Sequence, residues 1–138
     1  IPWFSRTFKK EGQSVCNGRW IAIHYKGKIC CAQWADVGPF GTDDWAYVFG
    51  RSQPKNRKNN KAGIDLSPAV RDYLGVTGID NKCDWRFAEL HEIPYGPWRK
   101  FGANNPFVNA RTTPPKINKK EIEALKRARE AWLRRSGR

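Results

Sequence analysis

Ala35-Asp36-Val37-Gly38-Pro39-Phe40 and, further along, Gly63-Ile64-Asp65-Leu66-Ser67-Pro68-Ala69-Val70 are the stretches on which the fold turns. Each sets one aspartate where a strand-like apolar run breaks into a turn or a helix start. Folds tend to display working side chains at such breaks, because the strand fixes the backbone and the turn exposes the group. Plainer roles are open to both: aspartate before Gly-Pro forms turns, and aspartate ahead of Ser-Pro caps helices.

Upstream of the first stretch, Arg19–Tyr25 and Lys28–Ala35 alternate and are rich in β-branched and aromatic residues, with Lys26-Gly27 between them. That pattern predicts a hairpin. Trp20, Ala22 and His24 share one face, and Ile21, Ile23 and Tyr25 the other. A lone histidine such as His24 on a strand face is most often structural. Residues 1–18 offer one short strand at most, before a turn at Asn17-Gly18.

Around the second stretch, Gly63–Leu66 reads as a short strand. Ser67 then offers an N-cap, Pro68 suits the first helical position and Gly75 closes a two-turn helix. Cys83–Ile93 alternates as a closing strand that Pro94, Gly96 and Pro97 end. Between the two stretches, Arg51–Lys61 carries five positive charges and no acid, which predicts a mobile, solvated loop. Arg57 and Lys58 lie in it, placed to act as a flap over an anionic ligand.

Beyond Pro97 the composition shifts. Residues 99–116 are polar and turn-rich and read as an extended arm. Asn118 and Glu121 then form a capping box, Ile117 and Ile122 suit a hydrophobic staple, and Ile122, Leu125, Ala128, Trp132 and Leu133 fall on one helical stripe. Residues 111–138 hold ten bases and three acids, more than half of the net charge. A basic amphipathic helix on a tether suits docking to a protein partner or an anionic surface.

The totals bound the function. With 138 residues the chain fits one domain able to bury its own core. Twenty-six Lys and Arg against thirteen acids give a net charge of +13, a field that draws nucleic acid, acidic lipid or an acidic wall polymer. Seven Trp, seven Phe and four Tyr supply a core with a surplus for stacking on sugars or bases. Cys16, Cys30, Cys31 and Cys83 contain no C-x-x-C pair, and there are only two histidines, so neither a metal nor another cofactor is expected. One disulfide, Cys16 or Cys31 with Cys83, and four reduced thiols are both open. No apolar run approaches the ~18 residues of a membrane span. The first residue is Ile, which implies upstream sequence, a signal peptide among the possibilities.

Asp36, Gly38-Pro39-Phe40, Ile64-Asp65-Leu66-Ser67, Ala69 and Leu74-Gly75, in this order, resemble the rare lipoprotein A family of double-psi β-barrels. The resemblance covers about residues 14–93. It implies a mainly β fold: a six-stranded barrel with one short helix over residues 1–98, its first strand supplied from upstream, followed by the basic arm and helix of 99–138. It also implies a periplasmic or extracellular protein acting on envelope glycan, as lytic transglycosylases of peptidoglycan do and as expansins do distantly. By the same resemblance Asp36 is the catalytic acid and Asp65 the second acidic site. Val37 stands where the family has arginine, and no histidine stands at the family's upstream site position.

Cleavage by intramolecular attack needs one carboxyl that first gives and then takes a proton, walled by aromatics such as Trp34 or Trp45. Three functions are therefore weighed: a peptidoglycan lytic transglycosylase, a non-catalytic glycan-binding or accessory subunit of an envelope assembly, and a nucleic-acid binder. The last rests on charge and aromatics without a recognition motif, so nucleic acid is the least expected partner.

Overall fold

Side-chain alternation and a two-residue turn dictate the centre of the molecule. In the computed structural model, which describes residues 1–78 and 82–112 together with Glu123, Arg127 and Arg134, β1 (Trp20–Tyr25) and β2 (Lys28–Gln33) form the hairpin around Lys26-Gly27. Lys26 and Gly27 both have positive φ, the twist that a tight hairpin turn requires. β3 (Asp84–Ala88) pairs antiparallel with the other side of β1, giving the order β2-β1-β3. Gly18 N–H donates to the Trp34 carbonyl (2.7 Å) and Trp34 N–H to the Arg19 carbonyl (2.8 Å), so two residues oppose one in a β-bulge that ends the hairpin.

This overturns the six-stranded barrel. The described residues hold three antiparallel strands in one open sheet and four short helices. The segments needed to close a barrel do other things. Residues 1–18 contain a helical turn, α1 (Phe4–Thr7), in place of a strand. Residues 63–66 press Ile64 and Leu66 onto the core without joining the ladder. The strand expected over Cys83–Ile93 stops at Ala88, where Glu89 and Glu92 form a capping box around a 3₁₀ turn.

Each face of the sheet has its own core. One carries Ile21, Ile23, Tyr25 and Cys30, covered by α3 (Pro68–Leu74) through Leu74, Val70 and Tyr73. Ile23 is 1% exposed, a burial worth roughly 1.5–3 kcal/mol. Ser67 Oγ accepts the Val70 N–H, Pro68 opens the helix and left-handed Gly75 ends it, so local signals define α3 completely. The opposite face buries Trp20, Cys31 and Ala88 under Ile93 and Phe107.

That covering segment was expected to be an extended arm. Instead Pro97–Arg99 makes a 3₁₀ turn and Pro106–Thr112 forms α4. The predicted C-terminal helix, with its Asn118–Glu121 box and Ile122–Leu133 stripe, lies almost wholly outside the described residues. All four cysteines are free. Cys31 packs with Trp20 on one face and Cys83 against the other face's core, so their pairing is ruled out by the sheet between them. Among the described residues no helix is long and apolar enough to cross a membrane.

Candidate functional site

The residue that places Asp36 is Trp34. Its ring stacks on Phe87 (5.9 Å, 8°) and meets Trp85 edge-on (5.7 Å), which fixes it against the core. From there its Nε1–H donates to the backbone carbonyl of Asp36 (2.8 Å), holding the chain where it leaves the sheet. Asp36 Oδ1 accepts the Val37 N–H (2.7 Å) and both residues are exposed. Gly38, with φ +108, and the cis Gly38-Pro39 bond then turn the chain toward Phe40.

Asp65 is placed differently. Ile64 and Leu66 on either side pack inward, so the aspartate between them faces solvent. The strip passes close beneath Tyr47 and Pro54: a Cβ at Gly63 would overlap both side chains. Tyr47 is itself held by the Trp85 Nε1–H, which donates to its hydroxyl (2.8 Å). Asn59 Nδ2 donates to Asp65 Oδ2 at 3.4 Å.

The basic loop is better anchored than a solvated flap. Asn56 is 5% exposed; its Nδ2 donates to the Ala62 carbonyl (2.9 Å) and its Oδ1 accepts the Lys58 N–H (2.9 Å). Asn59, Asn60 and Lys61 all have positive φ, a left-handed turn that asparagine tolerates better than most residues. This turn brings Asn59 to Asp65 and sets the Lys58 ammonium 5.8 Å from the Phe40 ring centre.

Asp36 and Asp65 line one cleft of about 550 Å³. Trp34, Phe40, Phe4 and Phe8 give it aromatic walls, and Asn59 lines it beside Asp65. Lys58 stands beside it on Phe40. Arg57 is exposed and outside the lining. Trp45, also expected to bind substrate, is 66% exposed and meets Phe49 at a tilt (4.7 Å), outside the lining. Asp44 accepts the Tyr47 N–H and caps α2 (Trp45–Val48), a structural role.

Glu11, Asn59 and the N-terminal phenylalanines are lining residues that sequence reasoning missed. Phe4 and Phe8 sit one helical turn apart, with ring centres at 5.1 Å, and that i, i+4 spacing is the signal that could have found them. Glu11 had none. Chemically, the cleft offers carboxylates to give or accept protons, an amide donor, and flat apolar faces. Among the described residues no group of three or more His, Cys, Asp or Glu side chains could hold a metal. Comparison with family models, curated proteins and solved structures gave no match.

Proposed function

We propose that the chain acts on an envelope glycan, binding an anionic polymer such as peptidoglycan and cleaving it with Asp36 as general acid and base. The observation that carries this reading is the shared cleft, in which two aspartates from separate stretches meet aromatic walls. The likeness of Asp36–Phe40 and Ile64–Ser67 to a glycan-acting family supports it, and the +13 charge suits an anionic wall. On this reading the protein works in the periplasm or outside the cell, and a protein partner is met through the basic end of the chain rather than through residues 99–107, which pack on the core.

The chemistry is a transglycosylation without water. Asp36 gives its proton to the glycosidic oxygen as the C1–O bond breaks. The sugar's own C6 hydroxyl then attacks C1 and returns its proton to Asp36, leaving a 1,6-anhydro end. Asp65, in the same cleft, adds negative charge on the side of the cationic sugar. An acid that must arrive protonated needs water kept away, and a sugar ring laid against Trp34 and Phe40 supplies that cover.

Binding without cleavage is the second reading, favoured by the exposure of both carboxylates. One experiment separates the two. Purified peptidoglycan incubated with the protein should yield muropeptides with 1,6-anhydro ends, falling by at least about a hundredfold in Asp36→Asn. Binding of wall material with no new ends, in both proteins, would select the second reading.

A further inference from the structure

The charge of the whole molecule and the charge of the cleft have opposite signs. The chain carries +13, yet Glu11, Asp36 and Asp65 line the cleft and no lysine or arginine does. An anionic glycan is therefore drawn to the molecule and opposed by the groove that would hold it. Like charges brought together beside apolar walls repel more strongly than they do in open water. The negative groups of such a polymer need a place along the cleft where the sign reverses.

Lys58 makes that place. Its ammonium lies 5.8 Å from the centre of the Phe40 ring, and Phe40 is a wall of the cleft. Among the described residues Lys58 forms no ion pair, so its charge is free for a ligand. The side chain is exposed, but the backbone that carries it is braced. Buried Asn56 accepts the Lys58 N–H and donates to the Ala62 carbonyl, while the next residue, Asn59, reaches Asp65. The lysine and the contact to the second acid are thus mounted on one turn. Its neighbours are placed differently: Lys55 gives its ammonium to the Asp43 carbonyl (3.2 Å), and Arg57 is exposed, outside the lining.

Phe40 supplies the rest of a subsite. Its ring is a flat, exposed apolar face on which one sugar can lie. A lysine ammonium is a compact point charge with three donors, matched to a carboxylate at the edge of that sugar.

We propose that Phe40 and Lys58 form a subsite for a sugar bearing a carboxylate, on its ring or on a branch, and that Lys58 selects such glycans over neutral ones. This rests on the glycan reading and adds to it the feature of the polymer that is recognised. It also sets a register: the charged sugar lies at the Phe40 end, and an uncharged neighbour faces the acids. A polymer charged on alternate sugars fits best.

The test measures binding by calorimetry at low salt, on the full chain carrying Asp36→Asn to stop turnover. The probes are a neutral hexamer of N-acetylglucosamine, a hexamer alternating N-acetylglucosamine with glucuronate, and a wall-derived hexamer with peptide branches on alternate sugars. At least one carboxylated hexamer should bind more tightly than the neutral one and lose about three- to fivefold in affinity with Lys58→Gln. Arg57→Gln removes the same charge from the same loop and should change that affinity less than about 1.5-fold. Lys58→Arg should keep the preference, and the neutral hexamer should not respond to Lys58→Gln. The hexamer that responds tells a ring carboxylate from a branch carboxylate. Equal losses in Lys58→Gln and Arg57→Gln, or no loss in either, would overturn the subsite and leave the glycan reading standing. So would a neutral hexamer bound at least as tightly as the other two. If none of the three binds, the glycan reading falls and the subsite with it.

Discussion

At the scale of single residues, burial governs what the cysteines do. Cys30 lies in the core face of β2, and burial with Cys31 alongside pushes its thiol up to about 11, against the pull of Lys28. Cys16, Cys31 and Cys83 are raised as well, each mainly by burial. A thiol raised in the folded state favours the protonated form there. Its contribution to stability is thus complete below its ordinary value of 9.0 and is lost as pH rises through about 11. The unfolding midpoint in urea should fall between pH 9 and 11, and Cys30→Ala should flatten that fall while lowering the midpoint at pH 7. At pH 8, alkylation followed by peptide mapping should find Cys83, the least buried of the four, modified first. An equally fast reaction at Cys30 would mean that its face of the sheet is open. Asp36 and Asp65 were legible at this scale because a break after an apolar run marks an exposed turn. Glu11 and Asn59 were not, because only the folded path of residues 1–18 and 56–62 brings them to the same cleft.

At the scale of elements, the hairpin and α3 followed from local signals alone: alternation around Lys26-Gly27, and a serine cap with proline and glycine at the two ends. The segment over Trp98–Phe107 was misjudged, and the reason is a single side chain. Asn105 is fully buried; its Nδ2 donates to the carbonyls of Trp98 (2.7 Å) and Phe101 (2.9 Å), and its Oδ1 accepts the Phe107 N–H (3.0 Å). It caps α4 and gathers the preceding turn at once. Asn-Pro is a turn signal and also an N-cap followed by proline at the first helical position, and only the partners across the turn decide between them. Asn105→Ala would leave two carbonyls and an amide unpaired in the interior. It should cost about 2–4 kcal/mol in chemical denaturation, with Asn105→Asp recovering only the Phe107 bond. Loss below about 0.5 kcal/mol would mean that α4 and the turn do not depend on this bridge for their place over Trp20.

For the whole molecule, sheet closure was the expectation that failed. Residues 1–18 and 63–66 have the composition to add strands, yet residues 63–66 give Ile64 and Leu66 to the core without joining the ladder, and residues 1–18 form a helical turn and join the hairpin only through Gly18 at the bulge. Trp98, packed against both cores, lies across the β2 edge where a further strand would have joined. The two acids still share a cleft, because that depends on Trp34 and Gly63 and not on closing a barrel. What the molecule binds through that cleft is separable from what its charge attracts. A net +13 draws any polyanion at low salt, but this attraction fades as the screening length shrinks from about 10 Å at 0.1 M salt to roughly 3 Å at 1 M. On the glycan reading, contact between sugar rings and the aromatic walls would be apolar and would not weaken with salt. Protein loaded on wall glycan at low salt should therefore leave a retained fraction after a 1 M wash. Phe40→Ala, which removes a 67% exposed ring at little cost to the fold, should abolish that fraction while leaving low-salt binding within about twofold. Complete release of both proteins at 1 M salt would show charge alone at work, and DNA would then compete as well as glycan for the same surface.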